Sequence, residues 1–307
     1  MNESAIRERV DDLSARWVPI TVVWLAGLLW LSSVSWKVPP DFGDTAGGCS
    51  GLCRFVDAGI EHPVVPGSGW VLDTIVQPQL TLFGWLTLVA EAALAALLLS
   101  GRHLRVAAVL GVAQSLAIGL TVANAPDEWY WAYLLMIGLH LAVLGFATVL
   151  RPTPTRTMAA VVALYGVVVA VAHAEAGFSG DGNGTWTLFT SGNDIPDELG
   201  RGTFPGSIAL GLLLVAIAAA AWFLADVDRR LRTSSGWVLV ALAVVLLLTY
   251  GSDGLALGLG SRAVTAALLA ALGLALTGTR EPQPVDRGRD ASGGSPPAGI
   301  PASDRAT

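Results

Sequence analysis

Uninterrupted apolar runs constrain this chain more than any other feature. Eight of them, at residues 17–36, 80–100, 104–124, 129–150, 157–174, 206–224, 237–250 and about 255–276, lack the polar stripe that a helix on a water-soluble core would show. At about 1.5 Å per residue each can cross or nearly cross a hydrocarbon layer about 30 Å thick, the fifth and seventh with little tilt. In lipid every backbone N–H and C=O must be satisfied within the segment, so such runs fold as helices. The expected fold class is all-α, a polytopic transmembrane helical bundle of about eight spans.

Composition agrees. Of 307 residues, 53% are hydrophobic and 14% charged, and mean hydropathy is +0.60; soluble domains run near 45–50% apolar and about 25% charged. A nucleic-acid binder with a basic face, a disulfide-rich secreted scaffold and a disordered chain are all excluded. The first run follows a flank of mixed charge and lacks an A-x-A-like cleavage site, so it reads as a retained span.

Cation placement sets the expected orientation. With the N-terminus cytoplasmic, the inner side collects Arg7, Arg9, Arg16, Arg102, Arg105, Arg151, Arg156, Arg229, Arg230, Arg232, Arg280, Arg287, Arg289 and Arg305, leaving Lys37, Arg54, Arg201 and Arg262 outside. Fourteen against four predicts a cell-membrane protein with both termini cytoplasmic. The net charge of −6 therefore says little about partners, because the outer segments hold thirteen carboxylates and the inner face is net positive.

The connections repeat. A long outer loop (37–79), a basic inner turn and a short outer turn (125–128) recur as a long outer loop (175–205), a basic inner turn and a short outer turn (251–254). Duplication of a four-helix unit explains this, with both copies in the same orientation; the limited choices open to hairpins explain it too. The implied organisation is a cytoplasmic segment 1–16, a four-helix bundle 17–150, a second four-helix unit 151–278, and a Pro-, Gly- and Arg-rich tail 279–307 expected to be disordered.

Three polar residues interrupt the first unit at similar depth: Glu91 in the second run, Gln114 in the third and His140 in the fourth. A carboxylate at mid-membrane must face the bundle, be neutral or have a partner. Gly84, Thr87 and Ala95 share its helical face, as helix–helix contact in lipid requires. The expectation is a Glu91–His140 pair bridged or flanked by Gln114, serving as proton-handling machinery or as a hydrogen-bond set that fixes packing. A protonated Glu91 would tolerate Glu91→Gln. At an offset of 127 the second unit has Ala218, Ala241 and Ala267 in the corresponding places and reads as scaffold.

The loop 37–79 carries two amphipathic stretches, around 52–61 and 70–76, expected as short interfacial helices over the outer mouth, the second ending before Pro78. Cys49 and Cys53 sit there in a C-x3-C spacing, in an oxidising compartment under this topology. A redox-active disulfide, a structural bridge and two free thiols are all open readings. With His62 they fall short of a metal site, and haem, P-loop, dinucleotide and nucleophile-elbow motifs are lacking.

The strings "WKVPPDFG" at 36–43, "LFGWLTLVAEAALAALLLSGRHLR" at 82–105 and "NAPDEWYWAYLLM" at 124–136 give residues 28–150 a family resemblance. This stretch resembles the DoxX/DoxD-like membrane proteins, which include the small subunit of thiosulfate:quinone oxidoreductase. Phe83, Gly84 and Glu91 resemble the family's FG-x6-E second helix, and Pro126, Glu128, Trp129, Trp131 and Tyr133 its signature before the fourth. The resemblance implies a four-helix bundle working in quinone-linked sulfur or thiol redox chemistry beside a partner subunit. On that reading Trp129, Trp131 and Tyr133 line a quinone pocket and Glu91 and His140 manage protons. A non-catalytic scaffold is the competing class, and a proton-coupled transporter the third. The partners expected are the lipid bilayer and a redox subunit, with no nucleic acid.

Overall fold

The computed structural model describes residues 3–37, 39–46, 48–126, 128–179, 204–249 and 262–278. Most of the expected outer loop 175–205, the turn 251–254 and the tail 279–307 lie outside them. The described chain is helical apart from a two-stranded β1 (Asp44–Thr45) and β2 (Gly48–Cys49) hairpin. The helices are α1 (Glu3–Val34), α2 (Gly51–Glu61), α3 (Ser68–Val71), α4 (Leu80–Ser100), α5 (Leu104–Val122), α6 (Tyr130–Phe146), α7 (Thr155–Ser179), α8 (Phe204–Leu224), α9 (Arg229–Leu248) and α10 (Arg262–Leu276).

Four helical stretches are long and apolar enough to cross a membrane: Trp17–Val34, Ser68–Ser100, Leu104–Val122 and Arg229–Leu248; four further apolar helices are shorter. Their outward faces bear Leu82, Leu86, Leu135, Leu213 and Phe223, each more than half exposed, an apolar exterior suited to lipid rather than water.

Two boundaries differ from expectation. The amphipathic stretch before Pro78 does not stop there, because a π-helical segment (Leu72–Val76) and a 3₁₀ turn (Gln77–Gln79) join α3 to α4 in one rod. The wider π turn makes room for a ring that would otherwise strike the carbonyl four residues back, and Pro78 sits where its missing N–H is tolerated. The seventh apolar run likewise starts earlier, at Arg229, because the Asp228 side chain accepts from the Arg230 N–H and caps the helix ahead of the apolar residues.

Packing follows consecutive pairs: α1 with α4, α5 with α6, α7 with α8, and α9 with α10. Facing glycines, Gly166 with Gly211 and Gly236 with Gly273, bring the last two pairs to backbone contact, the usual basis of close helix association in lipid. Helix α10 is the hub. Nearly every residue from Ala263 to Leu276 is buried, against α4, α9, α7 and α1, so it is apolar on all sides. The two halves thus share one core.

Candidate functional site

Helix α1 runs antiparallel to α4 and stops partway along it. Gly27 abuts Leu99, and Lys37, ten residues on, meets Glu91, eight residues back. The chain leaves α1 at Val34 level with the middle of α4, and Lys37 and Phe42 then pack along the part of α4 that α1 does not cover. Phe42, fully buried, lies on Gly84, where any Cβ would collide with its ring, and meets Trp85 edge-on. The turn needs this space: Phe42 has φ 54° and Gly43 φ 94°, and the Phe42 carbonyl accepts from the Cys53 N–H at 3.1 Å.

This placement changes the partner of Glu91. Lys37, counted above among the outer cations, is buried, and its Nζ donates to Glu91 Oε2 at 2.7 Å and to Ser33 O and Oγ at 3.0 Å each. The ammonium uses all three N–H bonds and lies 4.0 Å from the Trp36 ring centroid. The partner of Glu91 is therefore Lys37 rather than the expected His140, and a buried pair of this kind rests on its hydrogen bonds in place of water. Glu91 Oε1 is buried with no hydrogen-bond partner.

His140 belongs to a separate set. Its Nε2 accepts from Trp30 Nε1 at 2.7 Å, and its Nδ1 lies 2.7 Å from the Met136 carbonyl. An indole nitrogen only donates and a carbonyl only accepts, so the geometry assigns the neutral ring with its proton on Nδ1. Protonating Nε2 would break the Trp30 bond, which sets this arrangement against the proton-handling role expected of His140. Gln114 does not bridge the two. The α5 face toward α6 is Gly111, Ser115 and Gly119: Gly111 touches the His140 ring with no room for a Cβ, and Ser115 donates back to the Gly111 carbonyl at 2.7 Å. Gln114, one residue off this stripe, is only half-buried.

Above the ion pair sits the thiol pair. Cys49 and Cys53 are joined as a disulfide with Cα atoms 5.3 Å apart, one at the end of β2 and one in the first turn of α2. Cys53 is buried, Cys49 half-buried, and Gln77 Nε2 lies 4.0 Å from Cys53 Sγ. Asp57, one turn along α2, brings a carboxylate oxygen within 4.8 Å of both sulfurs. It also walls a groove of about 340 Å³ that runs between α2 (Arg54, Ala58, Glu61) and the 125–128 turn (Pro126, Glu128). Asp57 thus lies between the disulfide and a charged groove whose lining includes neither cysteine, and Phe42 joins Cys53 to the helix that carries Glu91.

The three aromatics expected to line a quinone pocket do not converge. Trp129 and Trp131 stand 77% and 59% exposed, as in an interfacial belt, while Tyr133 turns inward against Gly119 and donates to Glu128 Oε2 at 2.6 Å. They offer an aromatic surface at the end of α6 rather than an enclosed slot. Lys37, Trp30, Ser33, Phe42 and Asp57 were missed as site residues from sequence. Compared with protein-family models, curated proteins and solved structures, the chain matches none.

Proposed function

We propose that this chain is an eight-span membrane subunit, with both termini cytoplasmic, of a quinone-linked thiol or sulfur redox system like that of the DoxX/DoxD-like proteins it resembles. The observation that carries the reading is the Cys49–Cys53 disulfide, whose neighbour Asp57 lines an open groove and whose Cys53 N–H is bonded to the carbonyl of Phe42, the residue packed on the Glu91 helix. A donor dithiol in the groove attacks the less buried sulfur, that of Cys49, as thiolate; Cys53 leaves as thiolate and takes a proton. The donor's second thiol then displaces the mixed disulfide, so the donor is oxidised and Cys49 and Cys53 are both left as thiols. A lipid-soluble quinone, the acceptor substrate, takes the two electrons and two protons, becomes quinol and restores the disulfide. The exposed Trp129 and Trp131 give such a ring an apolar surface at the membrane boundary.

One observation favours a second reading, a non-catalytic scaffold. Both nitrogens of His140 and all three N–H bonds of Lys37 are occupied by partners within the protein, as a set that only fixes helix packing would have them. The two readings separate in isolated membranes supplied with a dithiol or thiosulfate and a short-chain quinone, followed by quinone absorbance. The redox reading requires quinone reduction by the wild type and its loss in the Cys49→Ser/Cys53→Ser variant at equal protein level. No reduction with either donor, or equal rates in the two proteins, leaves the scaffold.

A further inference from the structure

At the opposite end of the bundle two arginines meet with no carboxylate between them among the described residues. Arg102 lies in the turn between α4 and α5, and Arg232 in the first turn of α9; both reach Gly278, just past α10. Arg232, buried, donates from Nη2 to the Gly278 carbonyl at 2.9 Å and from Nη1 to the Ala225 carbonyl at 3.3 Å, while its Nε–H has no partner. Arg102, half-buried, lays Nη2 against Gly278, and neither its Nε nor its Nη2 finds an acceptor. Burial and the nearby Arg232 charge both push the Arg102 guanidinium below its ordinary range. Among the described residues neither arginine has a salt-bridge partner, although Arg156 nearby takes Asp226.

A guanidinium keeps its charge, so two side by side, with three buried N–H-bearing atoms idle among the described residues, call for an anion between them. A phosphoryl group offers oxygens in several directions and can accept from both guanidiniums at once. The site also lies where three helix ends meet at the arginine-rich face of the bundle, the level at which the phosphates of an inner leaflet would sit. We propose that Arg102 and Arg232 form a binding site for a single phosphoryl oxyanion, supplied by an anionic phospholipid headgroup or by free phosphate.

The test uses the full chain in a non-ionic detergent and phosphate-free buffer, with thermal unfolding followed by tryptophan fluorescence. Arg232 holds two carbonyls and its loss could unfold the protein, so Arg102→Gln is the informative variant. Phosphatidylglycerol should raise the midpoint of the wild type by several degrees. A lipid source gives that rise with the phospholipid and none with millimolar inorganic phosphate beyond a chloride control of equal ionic strength; a free-phosphate source gives it with both. In Arg102→Gln the rise should vanish, Arg102→Lys should restore part of it, and without added anion the Gln variant should melt at or above the wild type because a like charge has gone. The proposal is overturned if neither anion shifts the wild type beyond the control, if Arg102→Gln keeps the full shift, or if that variant melts lower than wild type without any anion.

Discussion

Removing either member of the Lys37–Glu91 pair should cost far more than removing both. Glu91 has no exposed surface and Lys37 has 3%, so neither charge has water to fall back on. In Glu91→Gln the amide oxygen can still accept from Nζ, but the counter-charge is gone and the ammonium is left with neutral partners alone, the amide, Ser33 and the Trp36 ring. Stranding one charge of a buried pair costs about 3–5 kcal/mol, enough to unfold a large share of a marginally stable protein. Lys37→Met strands the carboxylate instead and should cost about as much. The double variant Lys37→Met/Glu91→Gln leaves only a neutral amide to satisfy and should recover to within about 2 kcal/mol of wild type. The coupling between the two sites is then of order 3 kcal/mol or more, well above what unconnected residues show. Denaturation of the four proteins in the same detergent, followed by tryptophan fluorescence, measures it. Additive losses, or a Glu91→Gln protein as stable as wild type, would refute the buried ion pair and restore a neutral Glu91.

Four other outcomes follow from the same contacts. Gly111→Ala places a methyl inside the His140 ring and should destabilise by about 1–3 kcal/mol or prevent folding, and Gly138→Ala, whose Cβ meets nothing, should not. Trp30→Phe leaves His140 Nε2 without a donor and a gap where the rest of the indole was, and should cost at least about 1–3 kcal/mol in the same melts. A membrane-impermeant thiol reagent should label Cys49 and Cys53 in intact cells only after reduction; labelling without reductant would count against the disulfide. A reporter fused after Arg151 should read cytoplasmic and one inserted at Gly182 external, and the reverse at Gly182 would change the number of spans.

The helices were legible in the sequence because lipid demands continuous apolarity, and α2 because its apolar residues fall on one side. Glu91 and His140 were legible as buried polar residues for the same reason: charge and imidazole are costly there. Their partners were not. Depth counted along each apolar run assumes that all helices start at the same membrane boundary, and α1 breaks that assumption by ending beside the middle of α4. A lysine three residues past the helix end then arrives at the carboxylate, and Trp30 arrives at His140, pairings separated by 54 and 110 residues that no local pattern announces. Gln114 failed for a smaller reason. One residue along α5 is a turn of about 100°, and the polar side chain nearest in depth sat beside the contact stripe rather than on it.

The shortened α1 links the fold to the proposed chemistry. Had it continued as a helix to the outer surface, the cysteine-bearing loop would stand above the bundle with no contact to its interior. Because it stops where it does, Phe42 presses on Gly84 and takes the Cys53 N–H, and Lys37 reaches Glu91. The Cys49–Cys53 bond is thus joined through Phe42 to α4, the helix that carries Glu91. In the second half α10 packs on α4 and so holds the Glu91 helix. A disulfide reduced by an outer donor would loosen the loop over Lys37 while α4 stayed fixed by α10, so the ion pair would part on one side only. Reduction of the wild type should accordingly lower its stability more than reduction of the Lys37→Met/Glu91→Gln variant, and equal losses in the two would separate the thiol pair from the ion pair beneath it.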